Sequence, residues 1–304
     1  MKIRLLISSI LLALIPISVG AASIIPPVME ISGSRGEVLH EIFTVINTRE
    51  MEQTYYLGVL KFEPQENGEG PKFIPFEEDH SGLAQWIQLS SAEVIIPANT
   101  KGEIQFDISI PSDVLSGGYY GAITVSQSPS DLVADNGAMV EAKTAALILL
   151  TVEGDTKEML SLLEFGKGAT GLNSEIDGKF EFRVQNQGNV HVAPTGIIQV
   201  KDIFGRIVAK LDANPSSGRV LPNSTRTYVV GSEEIKNYYQ SAKDQMKVLA
   251  LGPMTAELLL KYGLSEQTIT SSVSFWYLPW QIMSLDVLLI LVILFIYSLA
   301  HRRK

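Results

Sequence analysis

The sequence predicts an all-β protein, in which two tandem Ig-like antiparallel β-sandwich domains stand between an N-terminal signal peptide and one C-terminal transmembrane helix. Three observations lead to this fold class. Segments of strand length, rich in branched and aromatic residues, recur between turn-forming Gly, Pro, Asn and Asp residues. The longest apolar segments lie at the two ends of the chain. The chain contains no cysteine, which excludes disulfides, thiolate zinc sites and cysteine nucleophiles.

The N-terminal residues 1–22 have the pattern of a secretory signal peptide. Lys2 and Arg4 form a basic start, a run of apolar residues follows, and Gly20 and Ala21 are small residues of the kind that a signal peptidase requires. An uncleaved membrane anchor is the alternative interpretation. Cleavage after residue 21 or 22 leaves a mature chain that begins with the first predicted domain.

The first sandwich is predicted over residues 23–154. Its clearest strand is 102–110, in which apolar residues from Ile104 to Ile110 alternate with polar ones, as in a half-buried antiparallel strand. Residues 63–81 interrupt the pattern and are predicted to form a long, exposed, acidic insertion. The other predicted strands are 38–47, 53–62, 93–96, 119–127 and 144–152.

The second sandwich is predicted over residues 158–275, after a polar joint. About seven strands in each domain would be typical of an Ig-like sandwich. Residues 232–245 are predicted as one short helix with Ser232 as its N-cap. The predicted strands are 180–185, 195–202, 206–211, 225–230, 247–251, 255–262 and 268–275.

A short internal repeat favours two domains of the same type. Residues 43–47 and 182–186 share the pattern F-x-V-x-N. In both segments the strand places Phe and Val on one face, and Asn is suited to the turn that ends it. No longer repeat is evident in the sequence.

The C-terminal segment is predicted to cross a membrane once. Residues 282–299 are almost entirely apolar and close to the length that spans a bilayer core. Asp286 is expected at the outer interface, where its carboxylate reaches water, and a contact with a polar partner inside the membrane is the alternative. Interfacial aromatic residues and a basic cytoplasmic tail, residues 300–304, are predicted on either side of the span: Trp276, Tyr277, Trp280, Arg302, Arg303 and Lys304.

These ends predict a single-pass protein of the cell membrane, with most of the chain extracytoplasmic and the C-terminus cytoplasmic. The formal net charge is −9, and because the ends are basic, the exported middle is more acidic still. An acidic surface opposes binding to nucleic acid. Nucleic acid is therefore not an expected partner. Membrane lipid is one, because the C-terminal helix is predicted to cross the bilayer.

No catalytic constellation is evident in the sequence. The G-x-S-x-G, H-E-x-x-H, P-loop and dinucleotide-binding patterns are absent. Glu77, Glu78, Asp79 and His80 bring several metal-ligating side chains together in one segment, but consecutive residues of an extended chain point in alternating directions. A solvated acidic loop is the favoured interpretation and a weak cation site the other. We therefore predict no catalytic residue, no cofactor and no metal.

Three aromatic residues of the first domain admit two interpretations. Trp86 is typical of a sandwich core, and the alternative is a ring on which a sugar stacks. Tyr119 and Tyr120 follow a glycine turn, so that one ring faces inward and the other outward. Trp86, Tyr119 and Tyr120 are accordingly the candidate ligand-binding residues of this domain.

Several segments together resemble the WxL-interacting proteins (the DUF916 type), which are exported proteins of the bacterial cell surface. The resemblance implies two Ig-like domains and a C-terminal membrane anchor, with peptidoglycan binding by the first domain and binding of a host or partner protein by the second. Strands of the F-x-V-x-N kind also occur in pilus chaperones of the PapD type. The resemblance rests on PVMEI at 27–31, GEV at 36–38, FTVIN at 43–47, WI at 86–87, IP at 96–97, the strand with its proline at 104–111, and GYYG at 118–121.

The predicted function is that of a membrane-anchored, outward-facing, non-enzymatic binding or scaffold protein that contacts cell-wall polymer or another surface protein. Exposed strand edges and loops are its expected contact points. Two other classes stay open: a tethered PapD-like chaperone or assembly factor for surface fibres, and an envelope hydrolase. The oligomeric state is not predicted.

Overall fold

The computed structural model describes residues 22–65, 70–75, 78–128, 144–168, 175–231 and 236–302. The chain divides into two compact units, Met1–Glu63 with Lys72–Gly154 and Pro64–Pro71 with Asp155–Lys304. Each unit contains two β-sheets, which confirms the predicted all-β, Ig-like fold class. The predicted signal peptide lies outside the described residues, apart from Ala22.

The first unit is a sandwich of two sheets with a short helix, α1 (Leu83–Trp86). Across the first sheet the strands are β1 (Ser23–Ile25), β3 (Val38–Ile46), β8 (Lys101–Ser109) and β6 (Ile87–Leu89). Across the second they are β2 (Val28–Gly33), β10 (Thr144–Val152), β9 (Gly117–Ser126), β4 (Gln53–Pro64) and β5 (Pro71–Ile74), and β7 (Glu93–Ile96) also pairs with β4.

The alternating pattern along β8 builds the core of the first unit. Ile104, Phe106 and Ile108 are at most 3% exposed, and they pack in one cluster with Ile148 and Leu150 of β10. Burying each such side chain contributes roughly 1.5–3 kcal/mol, so an apolar core of this size holds the sandwich without a disulfide. The alternation predicted for this strand is confirmed.

The second unit is also a sandwich of two sheets. The first sheet has the order β11 (Leu160–Lys167), β12 (Phe180–Asn186) and β15 (Thr225–Val230). The second has the order β14 (Ile207–Asp212), β13 (Thr195–Lys201), β16 (Gly252–Tyr262) and β17 (Gln267–Tyr277). Two helices complete the unit: α2 (Tyr238–Val248), between β15 and β16, and α3 (Trp280–Arg302), directly after β17.

Helix α2 lies further along the chain than the predicted helix over 232–245. Its N-cap is Asn237, whose side chain accepts a hydrogen bond from the Gln240 backbone N–H at 2.9 Å, while the Gln240 side chain accepts from the Asn237 N–H at 3.2 Å. This reciprocal capping box satisfies two backbone donors and fixes the start of the helix. Ser232 lies outside the described residues, and the predicted strand over 247–251 is wrong because α2 continues to Val248.

The F-x-V-x-N repeat has the same place in both units. Phe43 and Phe182 are core residues, and Asn47 and Asn186 are fully buried where β3 and β12 end. A buried amide must find hydrogen-bond partners. Each Asn is therefore expected to form side-chain hydrogen bonds, in addition to tolerating the backbone conformation of a turn.

In the second unit, Asn186 closes the loop that follows β12. Its Nδ2 donates to the carbonyls of Val190 at 2.8 Å and Val220 at 2.9 Å, and its Oδ1 accepts from the Gly188 N–H at 2.8 Å. The Asn186 side chain thereby connects its own loop, at Val190, to the segment at Val220, which lies 34 residues further along the chain.

In the first unit, Asn47 makes the corresponding contacts. Its Nδ2 donates to the carbonyls of Met51 at 2.9 Å and Ile96 at 3.0 Å, and its Oδ1 accepts from the Arg49 N–H at 3.0 Å. The offsets of two and four residues equal those around Asn186. The two units therefore repeat one local design.

The repeat extends to a second turn that the sequence did not reveal. Asn99 and Asn223 both adopt left-handed backbone conformations, with φ of 53° and 55°. Each immediately precedes the residue, Thr100 or Ser224, whose carbonyl accepts from the backbone N–H of the buried Asn at 2.9 Å. Asn tolerates positive φ better than other non-glycine residues, which explains its place in both turns.

Helix α3 has 23 residues and, of the helices that the structure describes, is the one long and apolar enough to cross a membrane. The predicted span, 282–299, lies within it. Most of its side chains are exposed in the isolated chain, from Met283 to the C-terminal end. A largely exposed apolar helix of this length is typical of a segment that lies in lipid.

Candidate functional site

Several connections meet at one end of the second unit, which we call its base. In the four-stranded sheet, Lys201 of β13 lies opposite Thr255, and Gly252 of β16 lies opposite Tyr277. The turn 202–206, the segment between α2 and β16, and the start of α3 are therefore all at the base. The turn that joins β16 to β17 is at the opposite end, which we call the apex.

Strand β17 is a long edge strand with one unpaired side. Its 11 residues pair with β16 along their whole length, from Gln267 opposite Tyr262 to Tyr277 opposite Gly252. Within the described part of the chain, no strand pairs with its other side. Strand β11 of the facing sheet contacts β17 without forming a ladder. Strand β17 therefore presents an open edge.

The ladder pattern shows which backbone groups of β17 point to the open side. The carbonyl of Gly196 accepts a hydrogen bond from the Ala213 N–H at 3.0 Å, so Gly196 is bonded towards β14 rather than β16. Leu260, opposite Gly196, must then bond to β17, where its partner is Ile269. Because bonded pairs alternate in an antiparallel ladder, the outward-pointing N–H and C=O groups belong to Thr268, Thr270, Ser272, Ser274 and Trp276.

Side chains along β17 leave these backbone groups accessible. The outward residues from Thr268 to Ser274 carry short hydroxyl side chains, whereas Ile269, Val273 and Phe275 between them pack against the core. Natural edges are commonly blocked by charged side chains or proline, and β17 contains neither. Alternating hydroxyl residues were visible in the sequence, but the position of the strand at an edge was not.

At the base, α2 and the sheets enclose a charged cleft of about 240 Å³. Lys236 pairs with Asp177 at 3.4 Å and with Asp244 at 3.2 Å, and Lys247 pairs with Asp244 at 3.0 Å. Tyr277 lines the cleft, and burial together with the neighbouring carboxylates raises its pKa to about 12. Lys236 links Asp244 of α2 to Asp177 of the sandwich, whereas the Lys247–Asp244 pair lies within α2. None of these groups forms a nucleophile–base pair.

A second charged group lies beside the open edge. The ammonium of Lys167 is 4.8 Å from the centroid of the Phe180 ring and 4.1 Å from that of Phe275, and it donates to the Glu175 carbonyl at 2.9 Å. Burial lowers the pKa of Lys167 to about 8, although Asp177 and Glu175 act against this shift. The rings and the carbonyl hold a cation that is largely removed from water.

Trp86 and Tyr119 form one ring pair at the margin of the first core. Their centroids are 4.6 Å apart, both side chains are partly buried against the core cluster, and the Tyr119 hydroxyl donates to the Leu115 carbonyl at 2.9 Å. Burial raises the pKa of Tyr119. Of the two interpretations of Trp86, the structure shows the arrangement of a core residue.

Tyr120 lies on the other face of β9 and does not join that pair. Its ring centroid is 5.9 Å from that of buried Phe62, which in turn lies 6.3 Å from Phe73. Successive residues of a strand point to opposite faces, so Tyr119 and Tyr120 cannot share a site. The three aromatic candidates therefore do not form a single ligand-binding surface.

The acidic segment is described only in part, because Glu77 lies outside the described residues. The Asp79 carboxylate pairs with Lys61 at 2.6 Å and accepts from the Ser81 N–H at 2.8 Å, and the contact with Lys61 holds the pKa of Asp79 well below its usual range. Over the described ranges, no group of three metal-ligating side chains converges, whether at Glu78 and His80 or elsewhere.

The predicted aromatic belt divides between exposed and core positions. Trp276 is 71% exposed and Trp280 is 42% exposed, both beside the start of α3. Tyr277 is 1% exposed and packs in the second core, so its assignment to the membrane interface is corrected. Neighbouring strand residues face opposite ways, which separates Tyr277 from Trp276. Arg302 ends α3, and Arg303 and Lys304 lie outside the described residues.

Comparisons with known proteins assign no family to the chain. No protein-family model matches it. No curated protein matches it. The resemblance to WxL-interacting proteins therefore rests on the short segments given above.

Solved structures that are similar to this chain include two fimbrial chaperones. The Class 5 fimbriae chaperone CfaA has 14% identity and a TM-score of 0.40, and the match covers 85% of this chain and 99% of that chain. The Pseudomonas aeruginosa CupB2 chaperone has 8% identity and a TM-score of 0.37, over 82% and 98% of the two chains. At TM-scores of this size the similarity does not bear on function.

An enzyme is also among the similar structures. A family 123 glycoside hydrolase from Clostridium perfringens has 14% identity and a TM-score of 0.29, and the match covers 43% of this chain and 26% of that chain. Since only a quarter of the hydrolase is matched, its activity does not extend to this protein.

Proposed function

We propose that this protein is a membrane-tethered, non-enzymatic, protein-binding module that captures an extended segment of a partner along the open side of β17. The observation that carries the proposal is the unpaired edge of this 11-residue strand. An extended chain that adds to such an edge forms a new ladder of main-chain hydrogen bonds, and its alternate side chains provide specificity.

The tether is helix α3, which we assign to the membrane. Only Leu278 and Pro279 separate β17 from α3, so the edge strand continues almost directly into the apolar helix. A partner bound along β17 is then held close to the lipid surface. The predicted signal peptide and basic tail support an outward-facing orientation of the two sandwiches.

A protein partner fits this surface better than cell-wall polymer does. Sugar binding commonly uses exposed aromatic rings, whereas the rings of Trp86 and Tyr119 contact each other and pack against the core. The β17 edge instead offers regularly spaced N–H and C=O groups, which match another polypeptide. Two modes of action remain for such a module: a standing scaffold for a surface protein, and a tethered assembly factor that holds a fibre subunit only briefly.

Site-specific photo-crosslinking in the intact membrane tests the proposal. A photoreactive amino acid at Thr270 and at Ser274, in the full chain expressed in its own cells, is expected to form adducts with one or a few proteins. The same residue at exposed Leu264, at the apex, is the control position. Adducts at all three positions alike, or at none, would contradict strand capture.

A pair of substitutions at one position separates backbone pairing from side-chain contact. Ser272→Pro removes an outward N–H that bonds to no strand, and is expected to abolish the adducts while β17 stays paired with β16. Ser272→Ala keeps the N–H and is expected to retain them. Equal adduct yields in the two variants would exclude a ladder. Pulse-labelling of new partner protein, followed by irradiation after increasing chase times, then distinguishes the two modes. The yield of labelled adducts stays constant for a scaffold and falls for an assembly factor as subunits leave.

A further inference from the structure

The base of the second unit carries an exposed apolar surface, and strand capture through the backbone of β17 leaves its side chains unexplained. Its residues come from three separate elements: the β13–β14 turn, the end of α2 with the connection that follows, and the end of β17. Their exposed fractions run from 56% to 87%. We call this surface the base patch, and it consists of Ile203, Phe204, Met246, Leu249, Leu251 and Trp276.

The β13–β14 turn is built to hold two apolar side chains in solvent. The Asp202 carboxylate accepts from the backbone N–H of Phe204 at 3.0 Å and from that of Arg206 at 2.9 Å, and pairs with the Arg206 Nε at 3.0 Å. Ile203 and Phe204 stand at the tip of this closed turn, and Phe204 is 87% exposed. The turn is therefore fixed by its own polar residues and needs no apolar burial.

The same turn is fastened to the end of α2. Arg206 Nη2 donates to the carbonyls of Val248 at 3.2 Å and Leu249 at 3.0 Å, which are unpaired carbonyls of the last helical turn. This link places the Ile203–Phe204 tip beside the end of α2. Two parts of the base patch thus form one continuous surface.

Leu249 occupies a position for which its side chain is poorly suited. It is the C-cap of α2, with φ of 46° and ψ of 54°, and it is 73% exposed. Glycine or asparagine is the usual choice for this left-handed conformation. A leucine here costs free energy in the backbone and gains none from burial within the chain, which points to a contact outside it.

Helix α2 presents a matching outer face. Tyr239, Lys243 and Met246 are exposed at spacings of four and three residues, so they share one side of the helix, while Ser241, Ala242 and Gln245 on the other side are buried. Tyrosine, lysine and apolar side chains on one helix face are typical of a helix that lies at a lipid interface.

We propose that the base patch inserts into the outer interfacial layer of the bilayer, so that the second unit docks on the membrane surface in addition to being tethered by α3. The inference rests on the proposed assignment of α3 to the membrane. Because α3 begins at the base, beside Trp276, a bilayer that contains the helix meets the base patch directly. The Tyr238 hydroxyl, which donates to the Gln281 carbonyl at 2.9 Å, connects α2 to the first turn of α3 and keeps them together.

Fluorescent labelling of the full chain in lipid vesicles tests this docking. The chain has no cysteine, so Phe204→Cys, Leu249→Cys and Leu264→Cys each carry one environment-sensitive label without background. Leu264 is the matched control, because it is 98% exposed and lies at the apex, roughly 35 Å along the strands from the base. The vesicles consist of phosphatidylcholine, with or without a nitroxide quencher at the headgroup end of the acyl chain.

If the base patch docks, labels at 204 and 249 are expected to emit at shorter wavelength than the label at 264. Nitroxide lipid is expected to remove most of their fluorescence intensity and to leave that of the label at 264 unchanged. Labels at 204 and 249 that behave like the one at 264 would overturn docking. A blue shift at 204 without lipid quenching would also overturn it, since it would indicate that protein covers the patch. The two labelled positions lie in different elements, so a local disturbance at the strained Leu249 leaves Phe204 as an independent reading.

A fourth label distinguishes failure of docking from failure of the tether. Leu291→Cys lies in the middle of α3, and its label must be quenched by lipid that carries the nitroxide at the far end of the acyl chain if the helix is in the bilayer. Quenching at 291 without quenching at 204 and 249 would leave the tether intact and exclude docking. Loss of quenching at 291 as well would remove the tether and the inference that rests on it.

Discussion

Asn186 and Asn47 show how much organisation a single side chain supplies. Each is fully buried, and its side-chain amide donates to at least two backbone carbonyls and accepts from one loop N–H. Unpaired buried backbone groups are costly, so an amide that serves three of them at once is worth more than an average hydrogen bond.

Replacement of Asn186 by alanine is expected to lower the free energy of unfolding by about 2–3 kcal/mol, because the Val190 carbonyl and the Gly188 N–H lose their partner and the Val220 carbonyl keeps only its bond from the Val192 N–H. Urea denaturation followed by circular dichroism measures the change. Asn223→Gly is the matched control, since glycine adopts the positive φ of that position freely, and its stability should stay close to that of the wild type. Equal losses of unfolding free energy in the two variants would contradict a stabilising role for the Asn186 hydrogen bonds.

Lys167 predicts a pH dependence of stability in the alkaline range. Its pKa is lowered to about 8 in the folded state, so the unfolded chain binds more protons above that pH. Stability is therefore expected to rise with pH from about 8 towards the usual lysine pKa of about 10.4, and not to change through this group below pH 7.

The measurement compares unfolding of the wild type with that of Lys167→Met between pH 7 and pH 10. Methionine fills the space between the Phe180 and Phe275 rings without a charge, so the difference between the two proteins should shift in favour of the wild type as pH rises. A difference that is independent of pH would show that Lys167 titrates like an exposed lysine.

Residue-scale prediction from sequence was most accurate where one strong pattern decides the outcome. Alternation placed Ile104 to Ile110 in the core, whereas Tyr277 was assigned to the membrane because it lies between Trp276 and Trp280 in the sequence. The two-residue period of β17 turns Tyr277 inward, and that period was evident only once the strand was known to reach residue 277.

At the scale of single elements, helix α2 depends on its capping box. Asn237→Ala is expected to destabilise the protein by about 1 kcal/mol, because the Gln240 N–H loses its acceptor. Thermal unfolding measures this loss, and Asn237→Asp, which keeps the acceptor, should lose little. If the two variants are equally destabilised, the side-chain cap does not fix the start of α2.

Element boundaries were the least predictable feature. A serine at 232 followed by two acidic residues suggested a helix start, but the reciprocal pair Asn237 and Gln240 provides the cap that the described helix uses. The open edge of β17 was also beyond prediction, because pairing between strands depends on contacts far apart in the sequence. The hydroxyl pattern predicts a strand and says nothing of its neighbours.

At the scale of the whole molecule, the proposed membrane tether should depend on the apolar character of α3. Leu291→Arg with Leu294→Arg places two charges at the helix centre, each costing about 2.5–3.5 kcal/mol in membrane insertion. Extraction of membranes at alkaline pH should then release the protein, whereas Leu264→Arg, at the exposed apex, should leave it in the membrane fraction. Retention of the double variant would contradict a tether through α3.

The general plan of the molecule was accessible from sequence because it follows from composition. Short strands, an apolar C-terminal segment and the repeated F-x-V-x-N pattern predict β-sandwiches and a span, and the structure shows both sandwiches and the long apolar helix. The proposed binding surfaces were not predictable from sequence, because the β17 edge and the base each combine segments that are distant in the chain.

The short connection between β17 and α3 has a mechanical consequence. With α3 held in a membrane, a force that pulls the second unit away would be applied at Tyr277, the end of β17 at the base. Strand β11 runs in the same direction as β17 and begins near the apex, where the Tyr262 hydroxyl lies 3.5 Å from the Leu160 carbonyl. The load then acts parallel to the strands, and the paired residues of β16 and β17 share it as shear instead of opening one after another. Resistance to such a pull is governed by the rate of unfolding. In the proposed tethered arrangement, β17 is thus well placed to bear tension.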